Sequence, residues 1–321
     1  MKLKKGTLVG VACTLISVAI CVAAFQAAQA LVIPKFKTDG TAITTAYRYL
    51  DENSVDALFI GSSQMFCTID AQRLTEEHGI SFFDYGASGQ EFAATKYYFD
   101  TALQRQRPRL VMLETCSALV EGKYVGSDAL AWNYTAMPAS AEKFWSLYEI
   151  LNGDIPRSLE YTFTPIIEYH DRWKSLNHND FSYLLDPRGF SADTLRRRGF
   201  LPREHVESGL SIALASDSPG KATQAPARNV ETIRYIMKRC EAIGAKLVLF
   251  KSPDCDWTRS SSDSVKALAK ELSLTYLDLN EHAEEIGLDV SKDFYNARHL
   301  NTYGAEKTTK WIVPFLKDNL S

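Results

Sequence analysis

The chain has 321 residues, with 36 lysines and arginines against 39 aspartates and glutamates, so its net charge is −3 at pH 7. A chain of this length holds one large domain or two small ones, and the charge balance provides no basic field that would attract nucleic acid. We therefore expect a globular protein without a nucleic-acid partner.

The first 34 residues predict a membrane anchor. Three lysines within the first five residues precede an uncharged stretch, residues 7–34, which exceeds the roughly 20 residues that one helix needs to cross a bilayer. By the positive-inside rule the lysines stay in the cytoplasm, and residues 35–321 form an extracytoplasmic domain. The small-x-small sequence Ala28-Gln29-Ala30 leaves an alternative, in which signal peptidase cuts near Ala30 and the domain is secreted.

Helix and strand patterns alternate after a polar linker at 35–40. The predicted helices are 41–51, 70–77 and 91–105, and the predicted strands are 57–60, 80–85 and 109–114. The third strand is a near-continuous apolar run, which is typical of strands buried on both faces of a parallel sheet. Repeated alternation of strand and helix indicates an α/β protein.

The middle of the chain, at about 120–225, loses this alternation. We expect a mostly helical insertion there, with helices near 139–151 and 165–176, no clear strand, and a surface loop at 216–221. Insertions on α/β sheets often carry specificity, so we expect this one to cover or border the functional site.

Alternation returns after the insertion. The predicted helices are 229–243, 260–272 and 305–316, and the predicted strands are 245–250 and 274–279. The fold class is therefore a three-layer α/β/α domain with about five parallel strands, preceded by one N-terminal transmembrane helix.

The turn Gly61-Ser62-Ser63 directly follows the first predicted strand. In open α/β folds, chemistry lies at this carboxyl edge of the sheet. Taken alone, the two serines either cap the following helix or supply a nucleophile, and capping is the commoner role. A serine nucleophile needs a base, and His299 lies in a polar, loop-like segment just before the last helix. A lone loop histidine is usually solvated, so contact with serine is what would distinguish the two interpretations.

We expect neither a cofactor nor a metal. The dinucleotide motif Gly-x-Gly-x-x-Gly, the phosphate-binding loop and the zinc motif His-Glu-x-x-His are all absent from the sequence. The spacing of the cysteines fits no zinc ribbon or redox pair, and they are interpreted as small apolar residues.

Three segments resemble blocks one, two and five of the SGNH/GDSL hydrolases. They are Gly61-Ser62-Ser63, Asp84-Tyr85-Gly86-Ala87-Ser88-Gly89-Gln90, and His299-Leu300-Asn301 with Gly304-Ala305. More narrowly, the pattern resembles the membrane-anchored SGNH-like proteins of bacterial envelopes, which include D-alanyl-lipoteichoic-acid D proteins and proteins associated with polysaccharide O-acetyltransferases. The resemblance covers residues 53–315, with the insertion unmatched. It implies a flavodoxin-like sheet.

The resemblance also implies roles for individual residues. Ser63 aligns with the nucleophile and His299 with the base, while Ser62 is structural. The backbone amides of Ser63 and Gly86 would form the oxyanion hole, which stabilises the charge that develops on a carbonyl oxygen.

The chain departs from the family pattern at two places. Asn296 stands where the family has the aspartate that orients the histidine, so the orienting residue is Asn296 or Asp293, or the site is a dyad. The asparagine of block three is also missing, and Ser88 and Gln90 are candidates for the lost oxyanion donor.

An activated serine with an oxyanion hole performs acyl transfer. Together with the location, the resemblance implies an esterase or O-acyltransferase that acts through an acyl-serine on a polysaccharide, teichoic acid or peptidoglycan. It implies a place in the bacterial cytoplasmic membrane and a multi-span membrane acyltransferase as a possible partner. The alternative is a non-catalytic, polymer-binding or accessory protein that retains the fold.

Overall fold

The computed structural model describes residues 5–34, 41–120, 128–207, 210 and 224–321. The linker predicted at 35–40 and the loop predicted at 216–221 lie outside these residues. The first element is helix α1 (Lys5–Val32), whose segment Val9–Val32 has a mean hydropathy of 2.2. Its length and composition are sufficient to cross a membrane, as expected for an anchor.

The next elements alternate as predicted. They are α2 (Thr41–Tyr49), β1 (Ala57–Gly61), α3 (Ser63–Phe66), α4 (Ala71–His78), β2 (Phe82–Gly86), α5 (Phe92–Leu103) and β3 (Leu110–Glu114). Local chemistry sets their ends, as α4 illustrates. Asp70 caps its N-terminus by accepting a hydrogen bond from the Arg73 amide, and Gly79 ends it in the left-handed conformation with φ +67°.

The described part of the insertion is helical and contains no strand. Its α-helices are α6 (Asp128–Tyr134), α7 (Ala141–Ile150), α8 (Ile155–Phe163), α9 (His178–Leu185) and α10 (Pro187–Arg196). The predicted helix 165–176 is wrong, because two short 3-10 helices, Pro165–Ile167 and His170–Ser175, take its place. Asn177 follows in an extended conformation as the capping-box residue of α9, which stops the preceding turns from continuing.

The last third of the chain completes the sheet. Its elements are α11 (Ala227–Ile243), β4 (Lys246–Lys251), α12 (Arg259–Glu271), β5 (Thr275–Asp278), α13 (Ala283–Ile286), β6 (Phe294–Asn296), β7 (His299–Leu300) and α14 (Thr302–Leu320). Strands β6 and β7 form a short antiparallel hairpin in which Asn296 pairs with His299. The loop-like interpretation of this segment is therefore wrong.

Strands β1 to β5 form one parallel sheet in the order β2-β1-β3-β4-β5. This confirms the predicted α/β class with five parallel strands. The chain adds β2 on one side of β1 and then crosses to add β3 on the other side. The carboxyl ends of β1 and β3 thus flank the crevice where open α/β sheets bind ligands.

Helices cover both faces of the sheet, because both faces are apolar. Leu58 and Ile60 of β1 point into a core shared with α2, α5 and α11, while Ala57 and Phe59 point into a second core shared with α4 and α14. All five residues of each of β1, β2 and β3 are buried. A sheet buried on both faces is rigid, so the loops at its edge are held in fixed positions.

Candidate active site

The turn after β1 is held against the end of β3. A Cβ atom on Gly61 would lie 2.3 Å from the Cβ of Glu114, so only glycine fits at this position. Ser62 stands at the N-cap position of α3, but its hydroxyl makes no cap hydrogen bond. Instead it donates to Glu114 Oε2 at 3.3 Å. The interpretation of this serine as a helix cap is therefore wrong, and its side chain fastens the turn to β3.

The second serine contacts the histidine that the sequence singled out. Ser63 Oγ lies 2.8 Å from Nε2 of His299, which β7 presents to the same edge of the sheet. The two residues are 236 positions apart in the chain, and both are partly buried. A hydroxyl at this distance can pass its proton to a histidine, as general base catalysis requires.

The tautomer of His299 follows from the contacts of Asn296. The backbone N–H of Arg298 can only donate, and it lies 3.0 Å from Asn296 Oδ1, which identifies that atom as the oxygen. The same oxygen lies 2.8 Å from His299 Nδ1, so Nδ1 carries the proton and donates it. The lone pair of Nε2 then faces the Ser63 hydroxyl. We refer to Ser63, His299 and Asn296 as the neutral chain.

Burial and neighbouring cations hold His299 in its neutral form. Burial, together with the positive charges of Arg298 and Arg203, lowers the pKa of His299 to about 4, while Asp254 opposes these effects. A carboxylate at position 296 would favour the imidazolium, but asparagine carries no charge. The ring is therefore oriented as a base at neutral pH, without a carboxylate on Nδ1 to stabilise its protonated form.

Asp293, the alternative orienting residue, is placed elsewhere. Its buried carboxylate accepts hydrogen bonds from the Asp289 amide and from Lys307 Nζ, both at 2.6 Å. A Cβ on Gly304 would lie 2.4 Å from the Asp293 carbonyl oxygen, which explains the glycine in the first turn of α14. Asp293 thus braces the hairpin against α14, and Asn296 is the residue that contacts the histidine.

The predicted oxyanion donors differ in their surroundings. Ser63 is the first residue of α3, where backbone N–H groups have no intrahelical acceptor. Gly86 pairs with Gly61 at the end of β2, and a Cβ on it would lie 2.7 Å from the Gly61 carbonyl oxygen. The hydrogen bonds of the Gln90 side chain go to the Ala87 amide and Thr95 Oγ1, and the Ser88 carbonyl accepts from Asn133. The side-chain contacts of Gln90 therefore hold the loop against the start of α5.

A second network lies beneath the neutral chain, and sequence reasoning missed it. Lys251 Nζ donates to Gln64 Oε1 at 2.8 Å and lies 3.2 Å from Asp254 Oδ2, while Gln64 Nε2 donates to the same carboxylate at 2.7 Å. All three side chains are buried. We refer to Gln64, Lys251 and Asp254 as the charged cluster. The available signal was a lysine at the end of a strand whose four central residues are apolar.

Asp254 is ionised within the charged cluster. Burial alone would raise the pKa of Asp254, but the charge of Lys251 and the hydrogen bond from Gln64 hold that pKa below its ordinary value. Arg298 Nε adds a longer contact of 3.9 Å to the same carboxylate. The cluster is therefore a buried ion pair whose hydrogen-bond donors and acceptors have partners.

The part of the chain that the structure describes offers no metal-binding arrangement. Within the described residues, no group of three or more His, Cys, Asp or Glu side chains is placed to bind a metal ion. The four cysteines of the domain, Cys67, Cys116, Cys240 and Cys255, are buried and free. Comparison with known proteins adds no assignment, because no family model matches the chain and no curated protein matches it either.

Proposed function

We propose that this chain is a membrane-anchored, serine-dependent acyl-ester hydrolase or O-acyltransferase of the SGNH type. The observation that carries the proposal is the hydrogen-bonded neutral chain. In it, the ring of His299 directs its unprotonated Nε2 toward the hydroxyl of Ser63. The strand order 2-1-3-4-5, which flavodoxin-like folds share, and the position of Ser63 at the crevice between β1 and β3 support it.

The geometry supports a two-step reaction. As Ser63 Oγ attacks the acyl carbonyl carbon, its proton moves to His299 Nε2, and the backbone amides of Ser63 and Gly86 are the proposed donors to the resulting oxyanion. Collapse releases the alcohol, which takes the proton from Nε2 and leaves an acyl-Ser63. Water or an acceptor hydroxyl then gives a proton to Nε2, attacks the acyl group and restores the serine.

The proposed location follows from α1. We propose that the helix stays uncleaved and places the domain outside the bacterial cytoplasmic membrane, where envelope polymers carry acyl esters. Gln29, at the centre of the small-x-small sequence, is buried in a continuous helix, and its amide nitrogen donates to the Phe163 carbonyl at 3.3 Å. A peptidase needs this segment extended and accessible, so the packing favours an anchor over secretion.

The experiment compares two neighbouring serines in the full chain in neutral detergent. We expect Ser63→Ala to lower the rate of p-nitrophenyl acetate hydrolysis by on the order of 10³-fold, because the nucleophile is lost. Ser62→Ala is the matched control, since that hydroxyl contacts Glu114, and it should retain most of the rate. Adding glycerol as acceptor and measuring glyceryl acetate against acetate separates transfer from hydrolysis.

Two observations favour the second candidate, an accessory or polymer-binding protein. The neutral Asn296 leaves His299 without a carboxylate partner, and the side-chain hydrogen bonds of Gln90 go to Ala87 and to Thr95 of α5. Both features lower the rate that the site can reach. Equal turnover by the wild type and Ser63→Ala would reject the enzyme and favour this candidate.

A further inference from the structure

A second site lies away from Ser63, where the end of α1 meets the domain. A cavity of about 190 Å³ is enclosed by residues of α1, α2, α7, α8, α9 and α10. Gln29 of α1, Thr45 of α2 and Lys143 of α7 are part of its lining. The exposed residues Gln26 and Phe163 also line it, so the cavity reaches the surface beside the anchor.

The cavity contains a buried lysine. Lys143 is 1% exposed, and its ammonium group donates to the Met137 carbonyl at 2.9 Å. Burial lowers the pKa of Lys143 to about 7. A second basic residue, Arg48, lies in the same lining and donates to Tyr183 Oη at 3.1 Å. Among the lining residues that the structure describes, none is an aspartate or glutamate.

This combination favours an anionic ligand. A buried ammonium group is unfavourable unless an anion and hydrogen bonds compensate for its lost hydration. Lys251 meets that need with Asp254, whereas no described ion pair involves Lys143. An anion that enters the cavity would pair with Lys143 and Arg48 and would find hydroxyl and amide groups, such as those of Thr45 and Gln29, around it.

The cavity lies at the level of a membrane surface. Residues 9–27 of α1 are exposed, and burial begins at Ala28 and Gln29. Nineteen helical residues rise about 28 Å at 1.5 Å per residue, close to the roughly 30 Å thickness of a hydrocarbon core. If these residues fill the core, the polar headgroups of the leaflet on the domain's side surround the mouth of the cavity.

The surface around the mouth of the cavity is also suited to the headgroup region of a membrane. Helix α8 exposes Ile155, Leu159 and Phe163 at intervals of four residues, along one face. Trp173 is 63% exposed and Leu185 is 85% exposed in the segments that pack on α1. Apolar and aromatic side chains of this kind are stabilised when they enter the interfacial region of a bilayer.

We propose that the cavity binds the phosphate of an anionic phospholipid headgroup, with Lys143 and Arg48 as its cationic ligands. Bound lipid supplies the counter-ion that Lys143 lacks among the described residues, and its acyl chains extend along the apolar face beside α1. The inference rests on the anchoring proposed above and is independent of the chemistry at Ser63.

The test measures thermal unfolding of the full chain in neutral detergent, with phosphatidylglycerol, phosphatidylcholine or inorganic phosphate added. We expect phosphatidylglycerol to raise Tm, because a ligand that binds only the folded state stabilises it. Lys143→Met should abolish this rise, and its Tm without lipid should equal or exceed that of the wild type, because an unpaired buried charge is removed. Lys174→Met is the control, since Lys174 is exposed, pairs with Asp171 and lies outside the cavity.

Each other outcome overturns the proposal in a distinct way. An equal rise in Tm with phosphatidylcholine, or with phosphatidylglycerol in Lys143→Met, excludes the anionic site. An equal loss of the rise in Lys174→Met shows that surface electrostatics, and not the cavity, cause it. A rise with inorganic phosphate alone assigns the cavity to a free anion instead of a lipid. If Lys143→Met does not fold, Arg48→Gln is compared with the wild type in the same way. Failure of the full chain to float with vesicles would refute the anchoring itself and leave the hydrolysis assay unaffected.

Discussion

Two polar networks start from consecutive residues of the same two segments. Ser63 and Gln64 are neighbours after β1, and Arg298 and His299 are neighbours in the hairpin. One residue of each pair joins the neutral chain, and the other contacts Asp254 of the charged cluster. The neutral chain is partly exposed, whereas the charged cluster is buried. In each segment, one residue thus belongs to the neutral chain and its neighbour contacts the charged cluster, which keeps the two sets of groups apart.

The difference shows where this protein tolerates charge. In the charged cluster, Lys251 and Asp254 each find a partner of opposite sign, so burial is compensated. In the neutral chain, the hydrogen bonds of His299 go to the uncharged groups of Ser63 and Asn296, and the charged cluster acts on it only through its electric field. The field of Asp254 raises its pKa, but burial and the nearby cations outweigh that effect. Three substitutions test this division.

The largest effect is expected from Asp254→Asn. It leaves Lys251 buried without its carboxylate, which should destabilise the full chain by about 3–5 kcal/mol in urea unfolding. Asp256→Asn, an exposed carboxylate two residues away, should change the free energy of unfolding by less than about 0.5 kcal/mol. Similar values for the two variants would show that the cluster is not a paired charge. The double variant Lys251→Met/Asp254→Leu should recover much of the loss.

A smaller effect is expected from Asn296→Asp, which brings charge into the neutral chain. Protonated His299 cannot act as a base, so with a pKa of about 4 the wild type should keep its hydrolysis rate down to about pH 4 and lose it below. A carboxylate hydrogen-bonded to Nδ1 raises that pKa, so the acid limb of the pH–rate profile, where the rate falls, should move to higher pH. It also stabilises the imidazolium that forms during attack, and kcat/KM at pH 8 should rise about tenfold.

The control for that prediction is Asn296→Ala. Without the amide oxygen, nothing in the neutral chain fixes the proton on Nδ1, and kcat/KM should fall while the acid limb stays below pH 5. An acid limb at the same pH in Asn296→Asp and the wild type would show that His299 is not the titrating base.

The smallest effect is expected from Arg298→Gln. The Arg298 side chain is 56% exposed, and its charge lowers the pKa of His299. Its removal should move the acid limb upward by less than Asn296→Asp does. Because exposed charges are screened by salt, 1 M NaCl should move the limb of the wild type in the same direction and leave the variant nearly unchanged. A downward shift in the variant would contradict the assigned sign.

Most of the sheet follows from the sequence. The five apolar runs each form a strand because buried parallel strands need continuous apolar residues, and periodic helices separate them. Ser63 and His299 could be paired because both follow strands at one edge. Their geometry could not be predicted, since it depends on a hairpin of only two cross-strand pairs that carries little apolar signal.

The charged cluster illustrates a second limit. Gln64 and Lys251 are 187 residues apart, and each resembles an ordinary polar residue at the end of an element. Only the tertiary fold brings them together. The same holds for Ser62, whose contact with Glu114 depends on the close packing of the ends of the neighbouring strands β1 and β3 at Gly61. Local propensity favours a cap for such a serine, and tertiary contact decides otherwise.

The contact between Arg172 and the anchor has a mechanical consequence. Arg172 donates to the Val32 carbonyl at 2.8 Å and holds Asp180 with two hydrogen bonds, which ties the end of α1 to the insertion. A tethered enzyme on a flexible stalk samples a range of heights above a bilayer, but a domain bonded to its own anchor stays at one height. Under the proposed function, Ser63 would be confined to a single thin layer above the membrane, and only acyl groups within that layer would reach it.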